Sequence, residues 1–284
     1  MSPPVIRTRA ELSAITKQWR KAEEVIGVVP TMGALHDGHL SLVAAAKASC
    51  TRVIVTIFVN PKQFNAASDL DGYPRTEEDD SRKLARFDVD AIYAPQTDEI
   101  YPDGFTTNVS VEGMTDILCG AHRPGHFDGV TTVVAKLFLQ TSADKAFFGE
   151  KDFQQLQVVR RLARDLDIPT EVVGCPTIRE DDGLAMSSRN LLLSDRARIK
   201  ASRLNEIMIN VANRLAEGAD FVEHQRDALK ALSAAGFTEV DYFELRDCDH
   251  LQPLKSATAP ARLFAAVWLA GVRLIDNIDI PPAH

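Results

Sequence analysis

Along the chain, short runs that stay apolar at successive positions are separated by longer stretches with helical periodicity. The runs are VIGVV (25–29), RVIVTIFV (52–59), DAIYA (90–94), KAFFG (145–149) and TEVVG (170–174). Helical patterns lie between them, from about residue 39, over 77–87, over 130–138 and over 152–166. Strands apolar on both faces and spaced by helices predict βαβ units around a buried parallel sheet. Ahead of the first run, Thr8 and Glu11 have capping-box spacing, which predicts a helix to about Arg20.

The pattern changes near residue 194. A long stretch rich in Ala, Arg and Leu and a second helical pattern over 221–234 precede the strand-like runs VDYFELRD, RLFAAVWLA and VRLIDNIDI. These predict helices packed on an antiparallel sheet. The segment between the two textures, PTIREDDGLAMSSRN (176–190), is polar and contains a glycine, as a linker or an active-site loop would. The expected architecture is α/β: a Rossmann-like, doubly wound parallel-sheet domain over residues 1–176, then a smaller C-terminal α+β domain over 177–284.

Composition narrows the chemistry. With 284 residues, 45% hydrophobic and 25% charged, the chain is large enough for this two-domain arrangement. A net charge of -8 argues against a phosphate-backbone binder, so nucleic acid is not an expected partner. Cys50, Cys119, Cys175 and Cys248 are scattered and form no C-x-x-C pair, which suggests neither a disulfide framework nor a zinc site. The first residues, MSPPVIRTRAEL, lack the apolar core of a signal peptide, and the apolar stretch near 263–272 is too short to span a bilayer. The expectation is a cytoplasmic protein with no membrane partner.

One stretch carries more special residues than a turn requires. Between the first apolar run and the next helix the chain reads PTMGALHDGH (30–39). In a doubly wound sheet, ligands bind beyond the carboxyl ends of strands, where a helix N-terminus offers N–H groups to an anion. Gly33 and Gly38 let a ligand approach the backbone, and His36 and His39, three apart, can share a face. The plainer alternative is a glycine turn with Asp37 capping the helix. A metal knot with His122 and His126 of HRPGH is a third, weakened by the lack of an H-E-x-x-H or cysteine partner.

Further candidates follow other strands. Asn60 and Gln63 offer amides suited to hydroxyl and carboxylate groups, or make ordinary turn contacts. GEKD (149–152) again leaves a strand to open a helix, so its backbone and Lys151 can face phosphates, or Glu150 and Asp152 simply complement the helix dipole. Arg189 can fork onto phosphate oxygens beside Ser187 and Ser188, although a bare S-S-R also reads as a solvated loop. TEEDD (76–80) reads first as an acidic helix start capped by Thr76, with Asp79 or Asp80 as a possible outer partner for Mg²⁺.

Taken together, VPTMGALHDGHLSLV, IFVNPKQF, YPRT, RPGHFDGV, FGEKDFQQL and DGLAMSSRN resemble the pantothenate synthetases over nearly the whole chain. The His36-Asp37-Gly38-His39 block is similar to the HIGH signature of the wider nucleotidyltransferase and class I aminoacyl-tRNA synthetase superfamily. The resemblance implies an ATP-dependent ligase joining pantoate to β-alanine, with Mg²⁺ accompanying ATP, an enzyme-bound adenylate and a homodimer. It implies catalytic roles for His36, His39, Lys151 and Arg189, with His39 at the family's proton-donor position. ATP contacts are implied for Met32, Gly33, Ala34, Leu35, His36, Asp37, Gly38 and His39. They are also implied for Gly149, Glu150, Lys151, Asp152 and Ile178, and for Met186, Ser187, Ser188 and Arg189, the counterpart of the KMSKS loop without its leading lysine. Pantoate and β-alanine contacts fall to Thr31, Met32, Asn60, Gln63 and Gln155.

Overall fold

In the computed structural model, which describes residues 2–65 and 67–282, every predicted strand run forms a strand. The chain divides into two units, Met1–Glu150 with Gln155–Pro176, and Lys151–Gln154 with Thr177–His284. Lys151 and Asp152, which the sequence pattern assigns to the first domain, group with the second.

The first unit is built on strands β1 (Val5–Ile6), β2 (Ile26–Thr31), β3 (Arg52–Ile57), β4 (Ala91–Tyr93), β5 (Lys145–Gly149) and β6 (Glu171–Cys175). They form one parallel sheet in the order β1-β4-β3-β2-β5-β6. The chain supplies helices α1 (Arg9–Lys21), α2 (Asp37–Ser49), α3 (Ala67–Asp71), α4 (Glu77–Ala85), α5 (Thr97–Ile100), α6 (Cys119–His122), α7 (His126–Thr141) and α8 (Phe153–Asp165). Thr8 and Glu11 make both halves of the predicted capping box of α1. Leu42, Val43 and Ala46 of α2 and Leu84 of α4 pack on Val29, Val53, Val55, Ile92 and Phe147, one face of the sheet. Consecutive residues of β2 and β3 are buried, so both faces of the sheet are covered and the strands lack a polar alternation.

Strand order reverses between β2 and β5, since β3 flanks β2 on one side and β5 on the other. β2 pairs with β3 as far as Thr31, but with β5 only at Gly27 and Val28. Beyond Val28 the two central strands part. Pro30 is tolerated in a central strand for the same reason. Thr31 bonds towards β3, accepting from the Phe58 N–H at 3.1 Å. Alternation therefore aims the missing Pro30 N–H at the side where β5 has already left.

In the second unit, β7 (Glu239–Asp247), β8 (Ala261–Leu269) and β9 (Val272–Ile280) form an antiparallel sheet in that order. With α9 (Asp195–Ala201), α10 (Arg203–Ala216) and α11 (Phe221–Ala235) it encloses Leu204, Met208, Leu215, Leu232, Leu245 and Leu263. The polar segment before α9 is a hairpin rather than an open linker. Arg179 and Ala185 form an antiparallel bridge, the Met186 N–H donates to the Ile178 carbonyl at 3.0 Å, and Gly183, at φ 88°, turns the chain. Arg198 of α9 grips the hairpin, donating to Asp182 and to Glu180 at 2.6 Å each.

Candidate active site

In the first unit the candidate residues gather where β2 and β5 diverge, the topological switch point of the sheet. The turn after β2 is shaped from inside. The Thr31 hydroxyl donates to the Thr56 carbonyl at 2.6 Å and accepts the Gly33 N–H at 3.2 Å. Gly33 and Ala34 both take left-handed backbone angles, φ 83° and 50°. A side chain at Gly33 would be strained there and would press on Asp80 and Ile57.

Asp80 supports this turn. It is 0% exposed, and its carboxylate accepts the Ala34 N–H at 2.9 Å, the Leu35 N–H at 2.8 Å and the Thr76 hydroxyl at 3.1 Å. Three donors hold a buried charge, which is what makes its burial tolerable. The Ala34 and Leu35 N–H groups serve Asp80, and Asp80 is enclosed by protein donors with no face open to a cation. Thr76 starts α4 but bonds Asp80 instead of capping through a backbone N–H. Asp79 pairs with Lys83 at 2.7 Å and Arg82 at 3.2 Å, and those hydrogen bonds lower its pKa. Among the described residues, no group of three or more His, Cys, Asp or Glu side chains is placed to hold a metal.

His36, not Asp37, is the residue that precedes α2, and Asp37 is its first helical residue. The rings of His36 and His39 lie 4.1 Å apart, centre to centre, and the His36 N–H donates to His39 Nδ1 at 3.4 Å. With Nδ1 accepting, a neutral His39 ring carries its proton on Nε2. At the start of α2 the His39 N–H donates to the His36 carbonyl at 2.8 Å, and the helix N-terminus adds positive potential beside the two rings.

A second cluster forms on the 3-10 turn Pro61–Gln63. Asn60 is 1% exposed and makes hydrogen bonds with all of its amide positions. Its Oδ1 accepts from Tyr101 Oη at 2.8 Å and the Lys62 N–H at 3.3 Å, while Nδ2 donates to Gln63 Oε1 and the Gly129 carbonyl, each at 3.0 Å. That completes the inventory of the side chain. Burial raises the Tyr101 pKa, so the phenol stays a donor. Gln63 Nε2 lies 3.0 Å from Met32 Sδ, bringing two expected substrate residues together.

The HRPGH block buttresses the same turn. The predicted helix over 130–138 in fact begins at His126. His126 is buried; its Nδ1 donates to the Gln63 carbonyl at 2.8 Å and its Nε2 faces Arg123 at 3.1 Å. Arg123 also donates to that carbonyl at 3.3 Å. Gly129 lets α7 touch the turn, since a Cβ there would sit 2.3 Å from the Lys62 carbonyl oxygen. Tyr101, Arg123 and Gly129 were not singled out by the sequence; only the glycine in GHFDGV, inside a helical run, hinted at a close approach.

At the end of β5, Gly149 has an ordinary backbone angle and nothing within 4 Å of the position a Cβ would take. Neither packing nor conformation demands glycine there, and the space beside it is open. Gln155 lies in the first turn of α8.

In the second unit, Lys151 and Asp152 lie on a 3-10 turn, with Lys151 Nζ 3.9 Å from Asp152 Oδ2. Ile178 and Met186 are joined across the hairpin. Ser187 caps the following 3-10 turn, its Oγ accepting the Arg189 N–H at 3.3 Å, and Ser188 and Arg189 are half-buried.

Comparison with known proteins bears on the whole chain. Residues 4–279 match the family model for pantoate-beta-alanine ligase. The chain is 74% identical over 284 residues to a pantothenate synthetase of Roseobacter denitrificans, covering all of both chains. It is 63% identical over 280 residues to that of Ruegeria pomeroyi, covering 99% of this chain and 98% of the relative. Among solved structures it superposes on the pantothenate synthetase of Thermus thermophilus with a TM-score of 0.93 at 45% identity, covering 98% of this chain and 100% of the other. A Francisella tularensis pantoate-beta-alanine ligase, complexed with beta-gamma ATP and beta-alanine, matches with a TM-score of 0.84 at 35% identity, covering 98% of each chain. With that agreement from end to end, the chain belongs to the pantoate–β-alanine ligase family.

Proposed function

We infer that the protein condenses (R)-pantoate with β-alanine, using ATP and releasing AMP and diphosphate, in the biosynthesis of pantothenate. The observation that carries this reading is 74% identity to a pantothenate synthetase without a gap in coverage. The switch-point cluster supplies a matching chemistry.

The pantoate carboxylate is ionised near neutral pH and needs no base to attack the α-phosphorus. Its oxygen bonds to phosphorus as the bond to the diphosphate breaks, giving an enzyme-held pantoyl adenylate. The barrier lies in crowding negative charge, so the enzyme's task is to supply donors and cations. His39, presenting Nε2–H, donates to the phosphate oxygens, with His36 beside it. Lys151 and Arg189 add charge; a lysine at about 4 Å contributes on the order of 4 kcal/mol at an effective dielectric of 20, before desolvation. The β-alanine amine, once neutral, attacks the activated carbonyl, and the carbon–oxygen bond to AMP breaks.

Gln63 and Gln155 bind pantoate in this reading, with Met32 against Gln63. Asn60 and Thr31, whose polar groups are engaged by protein, orient their neighbours. Gly149 leaves its open space to the nucleotide. Mg²⁺ enters on phosphate oxygens and water as the partner of ATP; Asp79, the more exposed of the two candidate carboxylates, is an outer contact at most. The protein acts in the cytoplasm as a homodimer, and residues 177–284 serve as a lid over the nucleotide.

The test is isotope exchange of diphosphate into ATP. Exchange should require pantoate, and AMP should appear only after β-alanine is added. Exchange independent of pantoate would point instead to a plain nucleotidyltransferase.

A further inference from the structure

We propose that the adjacent pair Asp276 and Asn277 on β9 is a positioning device that sets both cationic segments of the second unit for ATP. This rests on the ATP-dependent reaction inferred above. Neighbouring residues of a strand point to opposite faces, yet these two are both polar and only 3% and 4% exposed, side by side within the strand VRLIDNIDI. Burying a charge and an amide is costly, and a sheet needs neither to hold together. Their partners show what the position gains.

Asp276 takes the hairpin. Arg179 donates to its two oxygens at 2.7 and 3.0 Å and to the Asn277 carbonyl at 3.3 Å. Such a fork fixes direction as well as distance. Met186–Arg189 follow directly from the second arm of that hairpin. Asn277 takes the other segment: its Nδ2 donates to the Lys151 carbonyl at 2.8 Å, and its Oδ1 accepts from Arg262 at 2.6 Å. Arg262 in turn lies over the Phe153 ring at 3.9 Å, two residues beyond Lys151. The Asn277 N–H, 2.7 Å from Asp276 Oδ1, joins the two arrangements. Lys151 and Arg189, 38 positions apart in the chain by their numbers, are thus carried on one brace. Neither member of the pair is a catalytic residue; each acts through the main chain it holds.

The test is Asn277→Asp, which keeps size and the acceptor towards Arg262 but removes the donor to the Lys151 carbonyl. ATP binding by calorimetry and the KM values for ATP and pantoate are measured on the full chain, with thermal midpoints alongside. Expected is a rise of about tenfold in Kd and KM for ATP, the scale of one lost hydrogen bond, with the KM for pantoate unchanged. Asp276→Asn, which weakens the hairpin side, should shift the same two constants and carries the test if the first variant does not fold. Unaltered ATP affinity in a folded variant would overturn the proposal. So would equal losses for both substrates that track the folded fraction, since that marks a merely structural role. ATP calorimetry needs no turnover, so a wild-type protein that binds ATP but does not ligate would count against the reaction, not the brace.

Discussion

His39 shows how a tautomer can be decided by the main chain. The His36 N–H lies against Nδ1, which places the proton of a neutral ring on Nε2. Removing one such donor from charge that builds in a transition state lowers rates by roughly 10²-fold or more. His39→Ala should therefore cut pantoate-dependent exchange by at least about 10²-fold while leaving the unfolding midpoint nearly unchanged. Full exchange in that variant would remove the residue from the chemistry. Asp80 and Asn60 teach the opposite lesson. Both look like ligands in a list of polar residues, and both are buried and committed to their own protein. Residue type signals that a polar atom is present, but only burial and partners show whom it serves.

At the scale of elements, the strand runs and the glycine-rich turn after β2 were legible because each is local. A strand apolar on both faces, or two glycines before a helix, states its structure within a few residues. Contacts between distant segments were not. Nothing in IFVNPKQF announces that its turn is braced by His126, Arg123 and Gly129 of another helix. Gly129→Ala forces α7 away from the turn bearing Gln63; the KM for pantoate should rise about tenfold, a shift worth roughly 1.4 kcal/mol, with a smaller change for ATP. Equal effects on both substrates would contradict this placement.

The polar segment 176–190 suits a linker or an active-site loop by its pattern, and the hairpin within it depends on a distant partner, Arg198, that no local pattern shows. The Arg198 hydrogen bond holds the Asp182 pKa below its ordinary 3.8. A depressed native pKa stabilises above the unfolded value and loses that contribution as pH falls through the native one. Arg198→Met should flatten the loss of stability between about pH 4 and the lower native value. Thermal midpoints measured across that range give the answer, and a wild-type acid limb in the variant would exclude the pair.

For the whole molecule, the division into units assigns His36, His39, Gln63 and Gly149 to one and Lys151, Ser187, Ser188 and Arg189 to the other. No length of local pattern reveals that Lys151–Gln154 groups with residues over a hundred positions later, because the ties are single side chains from β8 and β9. The lid reading predicts a smaller radius of gyration by X-ray scattering with ATP and pantoate bound; identical profiles would count against it. Among the described residues no helix is long and apolar enough to cross a membrane.

The central claim is that the pantoate carboxylate attacks the α-phosphorus of ATP. Pantoate labelled with heavy oxygen in its carboxylate tests it in one reaction analysed by mass spectrometry. One labelled oxygen should appear in AMP and none in diphosphate. Unlabelled AMP, or label released in inorganic phosphate, would contradict the adenylate route.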